Sequence, residues 1–151
     1  MKSWDMKMLG LAEYIAAAWS KDPSTKVGAV ITRPDHTIVS IGYNGFPRGI
    51  RDTTERLNDR EMKLNLTVHA EMNAILNARE PLKGYTLYVW PPSYFSPTCH
   101  RCAPHVIQTG IINIVGIRAS AGDRFADKWA KSNSLARTMY REAGVEVYMY
   151  D

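Results

Sequence analysis

The chain has only two cysteines, separated by two residues in S93-Y94-F95-S96-P97-T98-C99-H100-R101-C102-A103-P104. A redox pair of this spacing sits at a helix start in a thioredoxin-like context. A structural zinc clip needs four protein ligands, usually as two separated pairs. It would have to take two of the four histidines, His36, His69, His100 and His105. His100 and His105 lie so close to the cysteines that such a cluster is cramped, and both read as surface residues. A third arrangement constrains the fold far more. V68-H69-A70-E71-M72-N73 supplies a histidine and a carboxylate about thirty residues upstream. If the two segments form one site, the fold must bring residues 69–71 against 99–102.

The chemistry of that set is coherent. Mid-helix, residues i and i+2 lie about 200° apart and cannot share a face. In a first turn both can reach an object beyond the helix end. Two thiolates and one neutral imidazole give Zn²⁺ three protein ligands and leave the fourth position for water. Such a water loses its proton near neutral pH, against ~15.7 in bulk. Glu71, not itself a ligand, can take that proton and pass it to a substrate. Helix N-termini aimed at the metal would favour the anionic groups there. His69, Cys99 and Cys102 are therefore the expected ligands of one catalytic zinc, and Glu71 the expected acid–base.

The rest of the chain narrows the setting. Its 151 residues, 45% hydrophobic and 23% charged, suit one soluble domain, 1–151, with a real core. No apolar run reaches the ~18 residues of a membrane span. Asp5 and Glu13 interrupt the N-terminal apolar pattern, so it does not read as a signal peptide. Two cysteines make no disulfide framework, and a cytoplasmic protein is expected. The net charge of +4 suits an anionic substrate such as a nucleotide, or an ordinary surface. No dense basic run marks a nucleic-acid arm, so no nucleic-acid partner is expected.

Leu9, Ala12, Ile15, Ala16 and Trp19 recur at helical spacing and predict a helix over about 4–20. Residues 27–32 and 37–43 read as strands split by Pro34-Asp35. A long connection follows from Gly45 to Thr67, with one short helix expected over 56–64; connections of that length are usually functional or disordered. Helices are expected at 69–78, 102–109 and 132–143, the last ended by Gly144, and strands at 85–90, 111–117 and 145–150. This order predicts an α/β fold, a three-layer α/β/α sandwich around a mixed five-stranded sheet.

H-x-E followed by P-C-x-x-C is the signature of zinc-dependent nucleobase deaminases. The chain resembles the cytidine and deoxycytidylate deaminase family through His69, Glu71, Cys99 and Cys102. D22-P23-S24-T25-K26-V27-G28-A29, G42-Y43-N44-G45-F46-P47-R48-G49 and R56-L57-N58-D59-R60-E61-M62-K63 are similar to its dCMP-deaminase branch. The resemblance covers about residues 9–117. It implies a cytidine-deaminase-like fold and zinc-assisted attack of water at C4 of a cytosine, with ammonia leaving. It implies conversion of dCMP to dUMP for thymidylate synthesis, and a trimer or hexamer. It implies that Asn44 bonds the sugar, that Lys26 and Ala70 contact substrate, and that Gly42, Gly45 and Gly49 serve a nucleotide effector site between subunits. Mg²⁺ would accompany a triphosphate effector.

Two departures stand out. Thr98 separates Pro97 from Cys99, where the family usually has proline directly before cysteine, and is expected as an N-cap. Pro104 requires either that the helix begin near Cys102 or that the ligand loop be reshaped. The family's aromatic after the fourth strand is also missing. Arg118 follows that strand at its C-terminal end, where ligand groups gather in such sheets, and is the expected phosphate contact. Lys128 and Trp129 receive no role and read as surface helix or loop. Asn44-Gly45 reads as a shaped loop rather than a hairpin turn, because residues 46–52 lack strand alternation. Gly45 and Gly49 would let backbone amides approach phosphate. The alternatives are another cytosine nucleotide, including 5-modified ones, a nucleic-acid deaminase, and a non-catalytic zinc or nucleotide sensor. Glu71 speaks against the last, since a structural site has no use for an unliganded carboxylate.

Overall fold

Strand residues that alternate between two apolar faces need cover on both sides, and the chain supplies it unequally. The structure is a computed structural model that describes residues 2–151. Its strands are β1 (Gly28–Thr32), β2 (Ile38–Tyr43), β3 (Thr86–Trp90), β4 (Asn113–Ile117) and β5 (Glu146–Tyr150). Its helices are α1 (Lys2–Trp19), α2 (Thr54–Asn58), α3 (Arg60–Leu66), α4 (Ala70–Asn77), α5 (Ala103–Gln108) and α6 (Arg124–Ala143). The sheet runs β2-β1-β3-β4-β5. β1 is antiparallel to β2 and β3, while β3, β4 and β5 are parallel.

One face carries Val30, Tyr88 and Val115, covered by Met8, Leu9, Ala12 and Ile15 of α1. The other carries Ala29, Ile31, Leu87, Val89 and Ile114, covered by Ala70 and Ala74 of α4, Ala103 and Val106 of α5, and Ala136 and Tyr140 of α6. The expected mixed five-stranded sheet in an α/β/α sandwich is thus present. Among the described residues no helix is long and apolar enough to cross a membrane.

Two glycines let helices approach the sheet closely. A Cβ at Gly28 would stand 2.0 Å from the Ala12 carbonyl oxygen of α1. A Cβ at Gly42 would stand 2.2 Å from the Ala70 carbonyl oxygen and 2.4 Å from the Ala74 nitrogen of α4. Ser40 Oγ, which donates to the Ala74 carbonyl at 2.7 Å, and Asn73 Nδ2, which donates to the Tyr43 carbonyl at 2.8 Å, tie α4 down on β2. Gly42 therefore lies buried under α4 as a packing position, and this corrects its expected place in an effector site.

Two expectations about helices change. The connection holds two short helices rather than one over 56–64. Asp59 ends α2 and starts α3, its carboxylate accepting from Met62 N at 3.1 Å. The last helix begins at Arg124 rather than 132, because the Asp123 side chain caps it by accepting from Ala126 N at 2.9 Å. Gly144, at φ 76, ends it as expected. Pro104 resolves in favour of a later helix start. Cys102 is the N-cap of α5, so proline falls in a first turn where its missing N–H is not needed.

Candidate active site

Two chain turns converge near the C-terminal end of β3, which lies beside the N-terminal end of the antiparallel β1. His69 is the N-cap of α4, with extended backbone, and Glu71 follows in the first turn. Cys99 and Cys102 are both buried and unbridged in the turn before α5. His69 Nδ1 lies 3.4 Å from Cys99 Sγ and 3.3 Å from Cys102 Sγ. One donor atom from each of His69, Glu71, Cys99 and Cys102 falls within 4.8 Å of all the others. A tetrahedral zinc with Zn–N near 2.05 Å and Zn–S near 2.3 Å needs an N···S edge of about 3.6 Å. The observed separations lie close to that edge. Three donors, two soft sulfurs and one imidazole, match the preference of zinc and leave a fourth position open.

The electrostatics follow from burial and from the sulfurs. Burial pushes the Glu71 carboxyl up to about 7, and the negative charge of Cys99 adds to the shift. The hydrogen bond from Cys102, and then that from His69, hold the Cys99 thiol well below its ordinary range. The same bond and burial push Cys102 up. Hydrogen bonding to Cys99 raises His69 despite its burial. The group is thus arranged around one anionic sulfur before any cation is added.

A cavity of about 770 Å³, open to solvent, begins at these residues. Ala70, Pro91 and Pro97 line it beside His69, Glu71 and Cys99. Asp22, Thr25, Val27 and Asn44 form one wall, and Phe125, Lys128, Trp129 and Asn133 of α6 another. Arg60, Lys63, Leu64 and Thr67 come from the long connection. Trp129 meets the His69 ring edge-on, with centroids 6.3 Å apart and an interplanar angle of 88°. Its indole N–H is buried and has no acceptor among the described residues. Partial burial, then the charges of Arg60 and Lys63, hold the Lys128 ammonium below its usual range. Arg60, Lys63 and Lys128 therefore lie near one another along the cavity, with Lys63 Nζ paired to Asp22 Oδ1 at 3.0 Å and donating to Ser24 Oγ at 2.6 Å.

A family model described as the cytidine and deoxycytidylate deaminase zinc-binding region matches residues 2–117. The chain belongs to this family. It is 39% identical over 147 residues to an uncharacterised deaminase in the luxG 3′ region of Aliivibrio fischeri, covering 97% of this chain and 93% of that one. It is 35% identical over 150 residues to the deoxycytidylate deaminase of Mus musculus, covering 94% and 76%. Its fold is similar to that of the dCMP deaminase of cyanophage S-TIM5 in complex with dCMP and dUMP. The TM-score is 0.72 at 18% identity, over 99% of this chain and 98% of the other.

Within this deaminase fold the other expected site residues fare unequally. Ala70 lines the cavity. Asn44 does too, but its amide is already engaged. Oδ1 accepts from Ser20 Oγ at 2.7 Å and Val27 N at 2.9 Å, and Nδ2 donates to the Thr25 carbonyl at 2.8 Å. It braces the wall formed by residues 20–27. Lys26 is turned away, donating to the Ser20 carbonyl. Arg118 is exposed and pairs with Asp151 at 3.1 Å, outside the cavity, so the expected phosphate contact does not fall there. Gly45 is held in a bridge with Val68, and its N–H donates to the Val68 carbonyl at 3.1 Å. Gly49 sits in an exposed turn at φ 83. Thr98 caps no helix; its hydroxyl meets Tyr140 OH.

Sequence reasoning missed Arg60, Lys63, Phe125, Lys128, Trp129 and Asn133. The signal for Phe125, Trp129 and Asn133 was present. Phe125, Trp129 and Asn133 are spaced by four residues, and Asp123 precedes them as a cap, but alternating charges hid the apolar face.

Proposed function

We propose that this protein hydrolyses dCMP to dUMP and ammonia, using one zinc ion held by His69, Cys99 and Cys102. The observation that carries this reading is a single cavity lined both by His69, Glu71 and Cys99 of the metal-type cluster and by the cations Arg60, Lys63 and Lys128. A cytosine ring directed at the cluster puts its 5′-phosphate among the cations. A free nucleoside would offer Arg60 and Lys128 no anion to meet. The deoxycytidylate deaminases among its relatives support the same substrate.

Zinc held there supplies the acidity that makes water a nucleophile near neutral pH. Water adds to C4, the C4–N4 bond breaks, and ammonia leaves. Glu71, buried and poised near neutrality, takes the proton of the attacking water and returns protons to N3 and to the departing nitrogen. Trp129 and Phe125 wall the base, and Ala70 floors it. Arg60 and Lys128 bind the monophosphate through charge-assisted hydrogen bonds, while Lys63, paired with Asp22, lies beside them.

A second hollow, of about 500 Å³, shares Asp22, Asn44, Lys63 and Thr67 with the first and adds Trp19, Tyr43, Gly45 and Phe46. It supports a nucleotide effector site, with Mg²⁺ accompanying a triphosphate. Exposed Trp4, Met6, Tyr14 and Ile38 support a homo-oligomer, a trimer or hexamer. The dUMP formed serves thymidylate synthesis in the cytoplasm.

The test is ammonia release from dCMP, CMP, dCTP and cytidine by zinc-loaded protein, with Glu71→Gln as control. Release from dCMP well above the other three, abolished in Glu71→Gln, is the expected result. No release from any of the four with zinc bound would end the catalytic reading. Full activity in Glu71→Gln would remove the acid–base role.

A further inference from the structure

Cys99 sits in the middle of a three-residue span whose two outer members are both tied to α6. On one side, Thr98 Oγ1 and Tyr140 OH are hydrogen-bonded at 2.6 Å, with both residues fully buried. On the other, the His100 backbone N–H donates to Ser132 Oγ at 3.0 Å, and that hydroxyl also pairs with His100 Nδ1 at 2.7 Å. Residues 132 and 140 stand about 12 Å apart along a helix rising ~1.5 Å per residue. The span is thus fastened at two separated points, which sets the direction of the Cys99 side chain toward His69.

We propose that Tyr140 and Ser132 are positioning residues that hold Cys99 in its metal-binding geometry, acting through Thr98 and His100. The idea rests on the zinc reading above. Cys102 needs no such brace. It is the N-cap of α5, and its carbonyl accepts from Val106 N at 3.0 Å. The Cys99 carbonyl likewise accepts from Ala103 N at 3.1 Å, but Cys99 lies ahead of α5, Ala103–Gln108, with Cys102 the cap between, and its flanking residues are held by α6 instead. The departure at Thr98 fits this role. A proline there would have no hydroxyl for Tyr140, and no N–H for Ser96 Oγ, which accepts from Thr98 N at 3.2 Å. Removing the Thr98 hydroxyl would also strand a buried phenol.

Groups that orient metal ligands typically govern affinity by ~10–100-fold. Thr98→Val, Tyr140→Phe and Ser132→Ala each remove one hydroxyl with little change in shape. Zinc affinity is read by competition with a chromophoric chelator, and the melting temperature of the metal-free protein is followed in parallel. Each variant is expected to bind zinc about tenfold more weakly or worse. Thr98→Ser, which keeps the hydroxyl, should restore wild-type affinity. The double variant of Thr98→Val and Tyr140→Phe should lose no more than either single, because the two hydroxyls act as one link. A purely structural role would lower the metal-free melting temperature and leave zinc affinity alone. Affinity within twofold of wild type in both Tyr140→Phe and Ser132→Ala overturns the proposal. Ser132 is only half-buried, so Ser132→Ala keeps the test decisive if a core variant fails to fold. Wild-type protein that takes up no zinc would instead fail the zinc reading itself.

Discussion

Gly42→Ala adds a single methyl group beneath α4, where the structure has no room for it. The new Cβ would lie 2.2 Å from the Ala70 carbonyl oxygen and 2.4 Å from the Ala74 nitrogen, both backbone atoms that no side-chain rotation can clear. Reaching an ordinary 3.4 Å contact requires α4 to lift by more than an ångström. His69 caps that helix and Ala70 and Glu71 begin it, so the lift moves the proposed ligand and the proposed acid–base together. It also stretches the bonds from Ser40 and Asn73 that hold the helix to β2. Overpacking of this kind costs about 3 kcal/mol, and an ångström of misplacement at reacting groups costs ~10²-fold in rate. Gly10→Ala is the matched control, since nothing lies within 4 Å of its Cβ and it sits inside α1. There alanine should stabilise by up to ~1 kcal/mol. Thermal melting and kcat/KM for dCMP on both variants give the comparison. Wild-type kcat/KM and melting in Gly42→Ala would refute the claim that close packing at this glycine sets the site.

Two further outcomes follow from the cavity walls. Lys128→Ala should lower kcat/KM for dCMP by ~10–100-fold, the worth of one charge-assisted hydrogen bond, while leaving turnover of deoxycytidine nearly unchanged; steady-state kinetics on both substrates check it. Asp22 governs acid stability. Burial alone would raise its pKa, but the Thr25 and Ser24 backbone N–H groups and the Lys63 ammonium outweigh it and hold the carboxyl below its usual value. A depressed folded-state pKa means the stabilisation is complete above the unfolded value near 3.9 and is lost as pH falls through the folded value. Asp22→Asn should therefore melt below wild type by about 1–3 kcal/mol between pH 5 and 7, and the gap should close below about pH 4. A gap independent of pH would show that the charge of Asp22 is not what stabilises this wall.

The metal cluster was legible because its chemistry is written in residue type and spacing. His69, Glu71, Cys99 and Cys102 can do one thing together, and the two faces of the sheet follow from simple alternation in segments such as Ala29-Val30-Ile31. The proposed phosphate contacts were not legible. Arg60, Lys63 and Lys128 are ordinary cations along the chain and become a set only because α3 and α6 both line the cavity. Arg118 was plausible by position at a strand end, yet a competing carboxylate at Asp151 claims it. Asn44 illustrates a different limit. Its presence at the cavity could be inferred, but the backbone groups of residues 20–27 that occupy its amide could not.

The two duties of α6 are weighted to different stretches of the helix. Phe125, Lys128 and Trp129, in its first two turns, face the cavity with Asn133 behind them, whereas Ser132 and Tyr140 reach the cysteine loop. Mutational drift can therefore alter what the cavity accepts by changing the opening turns, while the later turns keep the cation seated. A lineage built on this scaffold can explore new substrates without first surrendering its metal.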